Sequence, residues 1–156
     1  MLRPVVAGLA LLTLLTAGAF AQAPQPVWFI DEGDVGVFAK WGIPETDAVG
    51  MQLSCEAGRV AILPALYAME EPASVPDVAF TVDGETMRRS AELVFSERDA
   101  AYQAKVSVAT SDSVIDALRR GSSLTYDFAP PLVEGSSFTL SLSGSAKAID
   151  RVLRGC

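Results

Sequence analysis

The side chains with chemistry to offer are few. Two cysteines, Cys55 and Cys156, stand about a hundred positions apart, and a compact acidic run, Asp31-Glu32-Gly33-Asp34, follows the apolar Trp28-Phe29-Ile30. Oxygen ligands at that density could hold a hard cation. An EF-hand loop, however, needs acidic or amide groups at regular spacing and a closing glutamate, and that pattern is missing. Asp31, Glu32 and Asp34 therefore read as a solvated turn between strands, with cation binding left open. Glu70-Glu71 reads as a solvated loop tip. Ser143 and Ser145 lie near Lys147, but the Ser-x-x-Lys spacing that sets a hydroxyl against an amine is not met, and Ser145 is better used as a helix cap. A pair of carboxylates for glycoside hydrolysis need only meet in space, and no local pattern favours one.

The chain has no histidine. That removes Ser-His-Asp and Cys-His catalysis and most zinc or copper sites, since histidine is the usual acid/base group near neutral pH and the commonest metal ligand. No catalytic residue, cofactor or metal site is expected, and the protein is read as non-enzymatic. Arg88-Arg89, Arg98 and Arg119-Arg120 concentrate positive charge, yet adjacent residues of a strand point to opposite faces, so Arg88 and Arg89 do not make one patch. Trp28, Trp41 and Tyr67 read as core residues before interface anchors.

The start of the chain sets the compartment. Met1 to Ala21 has a basic residue at Arg3, an apolar stretch from Val5 to Leu15, and Ala19-Phe20-Ala21 as a small-residue cleavage site, the parts of a secretory signal. The apolar run is shorter than the roughly 20 residues that span a bilayer, so no stable membrane insertion is expected after cleavage. Cleavage leaves 135 of the 156 residues and a net charge of −8, because the signal holds Arg3 and no acid. Such a surface repels nucleic acid and anionic lipid and favours a basic protein partner if it favours any. The protein is expected in the periplasm or secreted, where two cysteines tend to pair.

The remaining chain must position these groups. Residues 22–26 read as a flexible lead-in and 27–156 as one β-rich domain. Val49, Met51, Leu53 and Cys55 alternate with Gly50, Gln52 and Ser54, as in a half-buried strand, with Val60 and Ile62 returning after a turn. Pro64 to Pro76 reads mainly as a long loop. Val78, Phe80 and Val82 lead into a hairpin turn at Asp83-Gly84, whose partner strand runs from Glu85 to about Phe95. Tyr102, Ala104, Val106 and Val108 form the next strand. The period then changes over Asp112 to Arg120, where Val114, Ile115 and Leu118 share a helical face closed by Gly121. Leu124, Tyr126 and Phe128 make a strand stopped by Pro130-Pro131, Phe138, Leu140 and Leu142 make another, and Ile149, Val152 and Leu153 share the face of a last helix. Helices this few cannot cross over between all the strands, so an antiparallel sandwich or sheet is expected, mainly β with two short helices. Both cysteines fall in phase with buried faces. A Cys55–Cys156 disulfide is therefore expected to tie the C-terminal helix to an early strand.

The stretch from Val78 to Leu153 resembles the invasion-associated locus B family of small exported bacterial proteins. The likeness rests on Val82-Asp83-Gly84, on Val114-Ile115-Asp116-Ala117-Leu118-Arg119-Arg120-Gly121 before a strand, and on Phe138-Thr139-Leu140-Ser141-Leu142-Ser143-Gly144 leading to Ala148 and Leu153. The chain departs from that family in lacking its mid-domain cysteine pair and in ending on a cysteine. The terminal cysteine is similar to the plan of small periplasmic accessory proteins of type VI secretion. Either likeness implies an exported β-rich module without known catalysis, and together with the signal and the absence of histidine and of a catalytic motif it leads to the expectation of a module that binds another protein. An acidic inhibitor of a basic enzyme such as lysozyme is the alternative.

Overall fold

A computed structural model describes residues 23–65, 67–97, 99–131 and 137–156. The expected signal segment and Arg98 lie outside them, as does the side chain of Tyr67. The described residues form two antiparallel sheets and two helices. The larger sheet joins β1 (Val27–Gly33), β2 (Gly36–Gly42), β3 (Val49–Glu56), β4 (Arg59–Pro64), β5 (Tyr67–Ala68), β8 (Glu92–Ser96) and β9 (Ala101–Val108). The smaller runs in the order β11 (Phe138–Ser141), β10 (Ser123–Ala129), β6 (Asp77–Val82) and β7 (Glu85–Ser90). Between β9 and β10 lies α1 (Ser113–Arg120), and α2 (Ser145–Leu153) follows β11.

Alternation decides which side chains enter the interior. Trp28 of β1, Ala39 of β2, Met51 and Leu53 of β3, Val60 and Ile62 of β4, and Ala104, Val106 and Val108 of β9 point inward from the large sheet. Val78, Phe80, Leu124, Tyr126 and Leu140 meet them from the small one in a single core. Two side-chain bonds cross between the sheets: the Trp28 indole donates to the Ser141 carbonyl at 2.8 Å, and the Tyr126 hydroxyl to the Gly50 carbonyl at 2.6 Å. Helix α2 covers the inner face of β1, β2 and β3, and α1 sits between α2 and β6.

The helices end for local reasons. Asp112 caps α1 by accepting from the Val114 amide at 2.9 Å. Gly121 closes it with φ −75°, an ordinary value, so its lack of a side chain answers to space: a Cβ there would overlap Cγ1 of Val82 and crowd Leu142. At α2 the expected cap is corrected. Gly144, at φ 90°, takes that position without a side-chain bond, and Ser145 is buried inside the helix, donating at 2.7 Å to the Leu118 carbonyl at the end of α1. That carbonyl needs a partner where α1 runs out of its own amides.

Three other expectations are corrected. The strand expected from Glu85 to Phe95 is two: β7 pairs with β6 in the small sheet, and β8 pairs with β9 in the large one, with the crossing at Ala91. The stretch read as a loop after Pro64 contains β5, which lies along the same side of β9 as β4 but two residues out of step with it. The β4–β9 ladder stops after Ile62 and Val106, short of Pro64, which has no N–H to continue it. Finally, Val27–Gly33 and Gly36–Gly42 form a full hairpin, in which Asp31 and Glu32 are strand residues and the turn is Asp34-Val35.

Candidate functional site

The disulfide joins Cys55, near the end of β3, to Cys156, with Cα atoms 5.3 Å apart. Its setting differs from the expectation of two buried faces. Cys55 is half-buried and Cys156 exposed, because α2 stops at Leu153 and a turn, with Cys156 N–H on the Leu153 carbonyl at 3.1 Å, carries the last residue past the sheet. The bond is a clasp at the rim of the core.

The acidic run is divided by strand alternation. Asp31 points outward and pairs with Lys40 of β2, while Glu32 reaches Nε of Arg151 on α2 at 2.7 Å. Among the described residues there is no grouping of three carboxylates or thiols able to share a metal ion. The arginines separate in the same way. Arg88 is exposed, Arg89 reaches Asp112 at 2.7 Å, Arg119 reaches Asp150 at 2.7 Å, and Arg120 reaches Asp116 at 2.9 Å. The Arg89 hydrogen bonds hold the Asp112 carboxyl below its ordinary range against the opposing effect of burial. Trp28 is buried, and Trp41 lies half-buried against the Phe138 ring at 5.8 Å, so both tryptophans serve packing. Glu70 and Glu71 are exposed, and Glu71 accepts from the Tyr102 hydroxyl at 3.4 Å.

What brings unspent groups together is the outer face of the large sheet. Lys40, Gln52, Leu63 and Gln103 lie on a common floor, with Lys40 opposite Gln52 and Gln52 opposite Leu63 in the ladder. At one end of this face charges are consumed internally. Lys105 bridges Glu56 at 3.0 Å and Glu92 at 2.9 Å, which raises its proton affinity, the Glu92 hydrogen bond foremost. At the other end, where β9 leaves β4 and turns to β5, the sheet opens into a groove of about 670 Å³. One wall is the turn Pro44-Glu45-Thr46-Asp47, pinned by the Thr46 hydroxyl on the Ile43 carbonyl at 2.7 Å. The opposite wall holds Ser96 and Asp99, bonded to each other at 2.7 Å, with the Gln103 amide donating to Asp99 at 3.0 Å.

Among the described residues the groove carries four carboxylates, Asp31, Glu45, Asp47 and Asp99, against one cation, Lys40. Lys40 is already engaged by Asp31, and Glu45 and Asp47 have no ion-pair partner among the described residues. All four acids are exposed. A carboxylic acid kept protonated for catalysis needs an enclosed apolar setting, so the arrangement suits binding of positive charge better than proton transfer. Sequence reasoning missed this groove. Gln52, Gln103 and Lys105 were legible as the polar phase of two strands, but the meeting of turn 44–47 with Asp99 depends on where the β4–β9 ladder stops.

The topology decides the comparison. The fold resembles that of a known structure. It is that of invasion associated protein B from Bartonella henselae, with a TM-score of 0.50 and 16% sequence identity over 83% of this chain and 93% of that one. At that identity the likeness to invasion associated protein B is one of fold. No protein-family model matches the chain, and no curated protein matches it in sequence.

Proposed function

We propose that the protein is an exported, non-enzymatic module of the bacterial envelope that works by binding another protein. The groove on the outer face of the large sheet carries this reading, because Glu45 and Asp47 have no ion-pair partner among the described residues while Lys105 at the other end of the same face is paired with Glu56 and Glu92. Export is supported by the signal-like start and by a disulfide that persists in oxidising compartments. The neighbour in fold bears a name that links it to invasion, and an invasion- or secretion-associated role is proposed here on that fold and on the sequence resemblance.

Immobilised oxidised protein should retain a saturable partner from native envelope extracts. Recovery of nothing beyond what an unrelated β-sandwich of equal charge recovers would overturn the reading. The acidity of the groove favours a second reading, an inhibitor of a basic enzyme such as lysozyme. A cell-lysis assay separates the two, since inhibition that fades with added salt is expected only of the inhibitor.

A further inference from the structure

The polar groups of the groove differ sharply in what they still have to offer. Ser96 and Thr46 give their hydroxyl protons to Asp99 and to the Ile43 carbonyl, and one of the two Gln103 amide N–H groups goes to Asp99. What remains is more acceptor than donor: the carboxylates of Glu45 and Asp47, the second oxygen of Asp99, and the amide oxygens of Gln52 and Gln103, the latter residue only 7% exposed, against the N–H groups left on Gln52, Gln103 and Lys40. Leu63 adds an apolar stretch of floor beside them. A site in which anionic acceptors outnumber the free donors asks for a cationic ligand that brings donors, and one with aliphatic floor asks for a stem as well. Arginine supplies both, with five N–H groups on a planar head and three methylenes behind it.

We infer that the groove takes an arginine-bearing segment of the partner protein, with the guanidinium between the Glu45-Asp47 turn and Asp99 and its stem on the Leu63 floor. The inference rests on the protein-binding reading above and narrows it to a basic occupant. A net charge of −3 over the described groove residues also draws such a segment in, an attraction that weakens with ionic strength.

The test uses the oxidised protein and a fluorescent peptide alternating arginine with leucine, read by anisotropy. Saturable binding is expected, weakened about tenfold or more in a Glu45→Gln, Asp47→Asn, Asp99→Asn variant. A charge-matched control, Asp77→Asn, Glu85→Gln, Asp127→Asn on the small sheet, should bind as the parent does. Equal weakening in both variants, no binding by the parent, or equal binding of a peptide with glutamate in place of arginine would each overturn the inference. If the triple variant does not fold, Asp47→Asn alone, at an exposed turn position, reads the same effect at smaller size. An envelope partner held equally well by parent and groove variant would leave the protein-binding reading standing and remove this one.

Discussion

The hydroxyl of Tyr126 in β10 donates at 2.6 Å to the carbonyl oxygen of Gly50 in β3, a bond made at the centre of the core between the two sheets. The same carbonyl also accepts from the Ala65 amide at 3.1 Å, so it keeps one partner if the phenol is lost. Tyr126→Phe should therefore cost about 1 kcal/mol, at the low end for a buried hydrogen bond. Urea unfolding followed by tryptophan fluorescence measures it, and a cost near zero would mean that the bond adds nothing to sheet docking.

Loss of the disulfide should be more severe. Cys55 and Cys156 are 101 residues apart, and closing so long a loop contributes about 4 to 5 kcal/mol in the chain-entropy model. Cys156→Ser is expected to lower the melting temperature to about that of the reduced parent. Thiol titration of the oxidised, denatured parent should find no reactive cysteine, and two would refute the pairing.

Asp112 joins two jobs, capping α1 and pairing with Arg89 of β7. Because its carboxyl is held below its ordinary range in the folded protein, the stability it supplies is fully present above the unfolded value, about 3.9. It is lost as pH falls through the lower folded value. Asp112→Asn keeps a cap but not the charge, so parent and variant should differ at neutral pH and converge in acid. Asp112→Ala should lose about 1 to 2 kcal/mol through the cap alone. A pH-independent gap between parent and Asp112→Asn in chemical unfolding would assign the effect to packing.

Gly121 offers a steric test free of backbone strain. Its φ of −75° suits any residue, yet a Cβ would overlap Val82 and crowd Leu142 in the core. Gly121→Ala should destabilise by about 1 to 3 kcal/mol, the range for overpacking. Gly58, at φ 76° but with open space around its α-carbon, separates the two effects, since alanine there pays only for backbone conformation.

Much of the architecture was legible because it rests on period. The inward phases of β3, β6, β9 and β10, the helical face of Val114, Ile115 and Leu118, and the Cys55–Cys156 link follow from side-chain alternation and from two cysteines in a chain whose start reads as a secretory signal. What stayed hidden depends on interruptions of period. Glu85 to Phe95 reads as one run because its alternation does not show that Ala91 leaves one sheet for the other. Ser145 has the residue type of a cap, and only the approach of α1 turns it into an interhelical bond. The groove was hidden for a related reason, since Glu45 and Asp47 are far from Asp99 in sequence and nothing local links the two turns that carry them.

Ala91 sets the phase of half the large sheet's border. With Ser90 ending β7 and Glu92 beginning β8, a single residue carries the chain between layers, leaving no slack to absorb an insertion. One added residue there would reverse which side of β8 meets the interior, turning Glu92 inward and Leu93 to solvent unless the pairing with β9 slipped to compensate. The two layers are thus geared to each other at that point, and a change of length at Ala91 would be felt along the whole ladder to Lys105 rather than confined to a loop.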